Sequence, residues 1–194
     1  MGLPALKEDR LYTFEEYLEI EDSLGGRYEY HEGRICLMSG THRHSRTIMN
    51  TSRELDLNLS EKCHVSPGQL KVWINEHKTV YPDVLVYCGE PVFYKTRDDK
   101  IREDMILNPT VVFEVTSPST ELYDRREKES FYLALESLKE YVIIKQDTIR
   151  VDHFIRTDDE EWKVVLHRNT GDRLELKSIE CELTLAQIYR RVFS

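Results

Sequence analysis

At 194 residues, with 40% hydrophobic content and only 8 glycines and 6 prolines, the chain can bury one ordinary core and lacks the bias of a fibrous or disordered protein. No run of about 18 apolar residues could cross a bilayer, and the first ten residues lack a basic segment followed by an apolar one, so a cytoplasmic protein with no membrane partner is expected. The net charge of −9 argues against a protein that coats nucleic acid indiscriminately, because such affinity comes from neutralised phosphates.

Thr13, Phe14, Glu15 and Glu16 form a capping-box pattern, and Phe14, Tyr17 and Leu18 recur at helical spacing, predicting a helix over residues 13–22 that Gly25 and Gly26 end. Tyr28 and Tyr30, then Ile35 and Leu37, flank Glu32 and Gly33 as a hairpin would. A second helix is predicted from His44 to Leu59, with Ile48, Leu55 and Leu59 inward. Between Arg27 and Arg53 lie five arginines against two acids, Glu29 and Glu32, with His31, His42 and His44 interspersed: either a phosphate-facing surface or a solvated basic face.

After Pro67 and Gly68, the alternation of Leu70, Val72 and Ile74 predicts a strand with one wet face. Val84 to Cys88 and Val111 to Phe113 are apolar on both faces, as covered central strands are. Residues 89–108 between them are charged and turn-rich, a connection holding a short helix or hairpin. Ser119 or Thr120 can cap a helix reaching about Leu138, and Tyr141 to Lys145 is a buried strand, so this stretch forms a parallel crossover unit. Strand-like pieces follow at Ile149 to Ile155, Trp162 to Leu166 and Leu174 to Leu176, and Thr184 caps a closing helix through Val192. The expected fold class is α/β (α+β), one domain over residues 1–194. Cys36, Cys63, Cys88 and Cys181 are far apart and are read as reduced packing residues, and no closely spaced thiolates or imidazoles offer a zinc site.

The informative anomalies are acids inside apolar strands, since a buried carboxylate must be paired, hydrogen-bonded or bound to a metal. Asp83 opens one buried strand and Glu114 lies near the end of another. Taken alone, Asp83 could simply begin its strand after Pro82, and Glu114 could pair with an arginine. In the helix after Glu114, however, Asp124, Lys128, Phe131 and Leu135 share one face, with Tyr132 at its border. If Phe131 and Leu135 pack on the sheet, Asp124 and Lys128 point toward the end of the strand that carries Glu114. Hard oxygen ligands without thiolates suit Mg²⁺ or Mn²⁺, and a nearby lysine can assist an attacking water.

The series Tyr28, Glu29 and Gly33, then His44, then Tyr81-Pro82-Asp83-Val84, then Val112 to Thr120, then Asp124 and Lys128, resembles the Uma-type family of restriction endonucleases, a branch of the PD-(D/E)XK nuclease superfamily. The resemblance runs from about Thr13 to Phe193. It implies a restriction-endonuclease-like core, a mixed central β-sheet flanked by helices. It further implies that Asp83 and Glu114 are metal ligands, joined by the Val115 carbonyl. The superfamily's common lysine position falls on Thr116, and the matching lysine is Lys128 on the following helix. Glu29 matches an acidic position that touches a metal or its water, and His44 a histidine lining the same cleft. The expected activity is a Mg²⁺-dependent endodeoxyribonuclease acting on DNA, with Asp83, Glu114, Lys128, Asp124, Glu29 and His44 at its site, and a homodimer if both strands are cut. The rivals are a nucleic-acid-binding or regulatory module on the same fold, and a nuclease for RNA or branched DNA.

Overall fold

The computed structural model describes residues 10–37, 40–117, 128–159 and 161–193. Helix α1 (Phe14–Leu24) begins at the anticipated capping box: the Thr13 hydroxyl accepts from Glu16 N–H, and the Glu16 carboxylate accepts from Thr13 N–H. Gly25, at φ 66, closes it in the left-handed conformation that glycine adopts without penalty. The hairpin of β1 (Tyr28–His31) and β2 (Arg34–Leu37) turns at Glu32 and Gly33, both at positive φ, as a two-residue loop that follows the strand twist requires. Helix α2 (His42–Asn58) starts two residues earlier than predicted, because the Thr41 hydroxyl caps it by accepting from His44 N–H.

Two six-stranded sheets follow from the pairing of β3 (Cys63–Pro67), β4 (Lys71–Asn75), β5 (Lys78–Val80), β6 (Val84–Cys88), β7 (Phe93–Lys95), β8 (Ile101–Ile106), β9 (Val111–Thr116), β10 (Glu140–Lys145), β11 (Val151–Arg156) and β12 (Trp162–His167) with the first hairpin. The first sheet runs β2-β1-β5-β4-β8-β7. The second runs β12-β11-β10-β9-β6-β3, and its β9 and β10 are parallel. A helix over residues 128–133, here α3, lies in the connection between those two strands. The expected crossover is therefore present, in a mixed α+β fold. The hairpin β13 (Arg173–Leu176) and β14 (Cys181–Thr184) leads into α4 (Leu185–Ile188).

The second sheet is covered on both faces, which is why β9 and β10 read as unbroken apolar runs. One face, with Val84, Val86, Phe113, Val115 and Val142, packs against Leu55 of α2 and the C-terminal hairpin and helix. The other, with Leu85, Val112, Tyr141 and Ile143, meets Tyr132 of α3 and Val72, Val80 and Ile106 of the first sheet. Helix α1 covers the far side of that first sheet through Phe14, Tyr17 and Leu18. It is pinned there by buried charges: Lys71 bonds Glu21 and reaches Asp104 at 2.8 Å, while Arg102 bonds both Asp22 and Asp104. Such pairs hold only because every member has a partner.

Several expectations fail in instructive ways. Residues 89–108 are not among them, since they hold the hairpin of the two alternatives, β7 with β8. Helix α3 stops at 133 instead of near Leu138; Arg156 binds the carbonyls of Leu133 and Leu135, and the Trp162 indole binds Leu133, so distant side chains satisfy its end. The closing helix is one turn, not eight residues to Val192, because Arg191 takes a positive φ of 58 and Asn50 of α2 binds the carbonyls of Ile188 and Arg190. Cys63 and Cys88 form a disulfide across β3 and β6, contrary to the expectation of four reduced thiols. Antiparallel register sets them directly opposite across 25 residues, a juxtaposition invisible to spacing rules, whereas Cys36 and Cys181 remain unpaired.

Candidate active site

The chain crosses from the first sheet to the second through Tyr81, Pro82 and Asp83, between β5 and β6. The β6–β9 register pairs Val84 with Phe113, and one step further sets Asp83 opposite Glu114. Glu114 shares the face of Val112, toward the first sheet and α3, whereas Asp83 stands one residue before β6, at the end of the sheet next to α2. Each is nearly enclosed, Asp83 at 8% and Glu114 at 7% exposure.

Each carboxylate is held by specific donors. Asp83 Oδ2 accepts from Val115 N–H at 2.7 Å and lies 3.1 Å from His44 Nε2, in the first turn of α2. Glu114 Oε1 accepts from the Tyr132 hydroxyl at 2.8 Å. Lys128, 9% exposed, donates to Glu29 Oε1 at 2.8 Å and sits 3.8 Å from Glu114 Oε1. Glu29 comes from β1 of the first sheet and also accepts from Tyr81 N–H at 3.0 Å. Five predicted residues, Asp83, Glu114, Lys128, Glu29 and His44, are therefore brought together, and Val115 joins them through its N–H. Asp124 and the Ser119 or Thr120 cap lie outside the described residues.

The helix face differs in detail from the predicted stripe. Tyr132, wholly buried and 5.1 Å from the Tyr141 ring, is the side chain that packs on the second sheet. Phe131 instead meets the first sheet, where Lys78 lies 3.1 Å from its ring centroid and the His31 ring sits tilted against it at 6.1 Å. Lys128 consequently faces the cleft between the sheets, with an acid on either side. The Thr116 hydroxyl, at the position of the superfamily's common lysine, is buried without a hydrogen-bond partner among the described residues.

Burial drives the Glu114 pKa well above the usual carboxylate range; the Lys128 charge pulls it down, while Asp83 and Glu29 push it further up. The folded chain then keeps a proton that the unfolded chain releases. The contribution of this group to stability is fully present below about pH 4.5, the ordinary glutamate value, and is lost as pH rises through the folded-state value. In chelator, Glu114→Gln should melt higher than the unaltered protein, by a margin that grows from about pH 5 to about pH 8. A constant margin across thermal melts at those values would contradict this account.

Two acids flank one lysine here, a third, Asp83, acts on Glu114, and Asp83 and Glu114 offer hard oxygen atoms; a divalent cation would offset the repulsion that helps raise the Glu114 pKa. The donor set fits Mg²⁺ or Mn²⁺. Among the described residues no group of three or more His, Cys, Asp or Glu side chains is placed to hold a metal ion by itself.

Comparison with known proteins bears on the family and the fold. Residues 14–187 match the Uma2 family, described as "Putative restriction endonuclease". The chain belongs to this family. Uma2 relatives of similar length include two proteins of Synechocystis sp. (strain ATCC 27184 / PCC 6803 / Kazusa). "Uncharacterized protein slr1290" is 34% identical over 179 residues, covering 91% of this chain and 90% of its own. "Uncharacterized protein sll1609" is 30% identical over 171 residues, covering 87% and 93%. The crystal structure of "a putative nuclease belonging to DUF820" from Anabaena variabilis ATCC 29413 superposes with a TM-score of 0.73 at 14% identity, over 93% of this chain and 98% of that one. The Uma2 chain thus has a nuclease-like fold.

Sequence reasoning missed two contributors. Gly40 precedes the α2 cap, and a Cβ there would stand 2.7 Å from His44 Nδ1, so glycine leaves the imidazole its place beside Asp83. Its position before a capping threonine was the available signal. The Tyr81 N–H that fixes Glu29 had no signal in the side-chain pattern, because the bond is made by backbone.

Proposed function

We propose that this Uma2 protein is a single-domain endonuclease, residues 1–194, that hydrolyses DNA phosphodiester bonds with Mg²⁺ or Mn²⁺. The observation that carries this reading is the meeting of Asp83 and Glu114 at adjoining ends of β6 and β9, with Lys128 held between Glu114 and Glu29. Asp83 and Glu114, with the Val115 carbonyl, would hold the ion, which when bound polarises the phosphoryl group and makes water more acidic. The Lys128 ammonium donates to Glu29 and stands 3.8 Å from Glu114. Its charge would orient the attacking water or neutralise charge that grows on phosphate oxygens. Glu29 keeps the ammonium in place and is itself fixed by Tyr81 N–H. His44 holds the Asp83 carboxylate from the α2 side, and Tyr132 orients Glu114. Asp124 belongs to the same proposed set through its helical spacing from Lys128. Cutting both strands takes two such sites, so a homodimer is part of the proposal.

The test is cleavage of supercoiled plasmid, linear duplex, single-stranded and branched DNA, and RNA, in Mg²⁺, in Mn²⁺ and in chelator. Nicking or cutting of DNA that requires the metal is the expected result. Binding without hydrolysis on every substrate in both metals would favour the regulatory module, and preferential cleavage of RNA would reassign the substrate.

A further inference from the structure

Strand β9 alternates its side chains between two faces. Val111, Phe113 and Val115 pack with α2 and the C-terminal hairpin, while Val112, Glu114 and Thr116 turn toward the first sheet and α3. Thr116 therefore follows Glu114 along the same face, at the C-terminal end of β9. Its backbone is fixed, since the Thr116 carbonyl accepts from Gln146 N–H at 3.0 Å. Its hydroxyl is not: Oγ1 is buried and has no hydrogen-bond partner among the described residues. A helical threonine can turn its hydroxyl onto the carbonyl one turn back, but a strand offers no such acceptor. Thr116 Oγ1 is the one side-chain atom of this kind on the strand that carries Glu114. Buried hydroxyls are nearly always matched, so this one marks the place of a partner from outside the chain.

The neighbouring strand specifies the charge of that partner. Parallel register pairs Thr116 with Lys145 at the end of β10, as it pairs Glu114 with Ile143, so the lysine stands on the same face. Lys145 is 4% exposed and interacts within the chain as well, so it supplies positive charge and leaves the direct contact to the hydroxyl. An ammonium has donors and no acceptor, and a hydroxyl beside it adds one more donor. Two adjoining donors, one of them cationic, suit an anionic oxygen. Thr116 is as enclosed as Glu114, 6% against 7% exposure, so a ligand that reaches the acid also reaches the hydroxyl.

We propose that Thr116 is a substrate-contacting residue, its hydroxyl donating to a non-bridging oxygen of the nucleic-acid phosphodiester seated at Glu114, with Lys145 as the positive charge beside it. The identity of the ligand rests on the nuclease reading; the unmatched hydroxyl does not. Thr116 holds the strand in place before reaction, and Lys128 remains the group that acts on the attacking water.

Thr116→Val in the full-length protein replaces the hydroxyl with a methyl group of nearly the same shape. Because the protein alone leaves that hydroxyl unmatched, the variant should melt at least as high as the unaltered protein, whereas loss of a structural hydrogen bond would lower the melting temperature. In chelator, where nothing is cleaved, affinity for a fluorescein-labelled single-stranded oligodeoxynucleotide, read by anisotropy, should fall about 10-fold in Thr116→Val and return in Thr116→Ser. Lys145→Met should flatten the slope of log affinity against log salt concentration by about 0.7, the share of one phosphate contact on a single strand. In Mg²⁺, Thr116→Val should raise KM with little change in kcat. A lower melting temperature, or an affinity that does not fall, would overturn the contact, and a lowered kcat at unaltered KM would overturn its assignment to phosphate. An unaltered salt slope would remove Lys145 from it. Should the protein hydrolyse no nucleic acid while Thr116→Val still loses affinity, the hydrolase reading falls and the phosphate contact stands.

Discussion

Asp83→Ala and Glu114→Ala should each lower DNA cleavage by about 1,000-fold or more, since the two acids are the proposed anchors of an ion contributing several kcal/mol to phosphoryl transfer. The folding consequences of the two changes differ. Asp83→Ala leaves the buried Val115 N–H without its acceptor, so that variant should also lose about 1–3 kcal/mol of stability. Asp83→Asn retains an oxygen for that N–H, and with Glu114→Gln it separates lost chemistry from lost fold. Cleavage at the unaltered rate by Asp83→Asn and Glu114→Gln, in preparations free of contaminating nuclease, would defeat the assignment of these acids.

Lys128→Ala should reduce kcat by about 100-fold or more while Mn²⁺ affinity stays nearly unchanged, because the lysine acts on water and phosphate and is not a ligand. It also leaves Glu29 and Glu114 facing each other without the intervening charge, so Lys128→Met, which keeps much of the volume, controls for packing. Single-turnover cleavage and Mn²⁺ titration read the two quantities separately. A normal kcat in Lys128→Met would remove the lysine from the proposed machinery, and a collapse of Mn²⁺ affinity would recast it as a structural support.

What could be read in the chain was whatever is encoded locally or by residue type. The Thr13 to Glu16 box, the Glu32-Gly33 turn and the doubly apolar strands each carry their own signal, and the structure has all of them. The site was legible because carboxylates in apolar strands are costly, and because helical spacing limits where Lys128 can face. What could not be read was set by tertiary partners. Arg156 and Trp162 end α3, Asn50 ends α4, and the β3–β6 register joins Cys63 to Cys88.

The crossing at Tyr81 to Asp83 bears on how the proposed activity could be switched off. Glu29 stands on one sheet and Glu114 on the other, and the Lys128–Glu29 contact spans 99 residues, so none of the local folding units contains a working set of groups. A wedge that parted the sheets by a few ångströms would leave every strand paired and most of the core intact, yet would separate the ammonium from one of its two acids. Latency in such a protein needs no unfolding; it needs only a slackened seam.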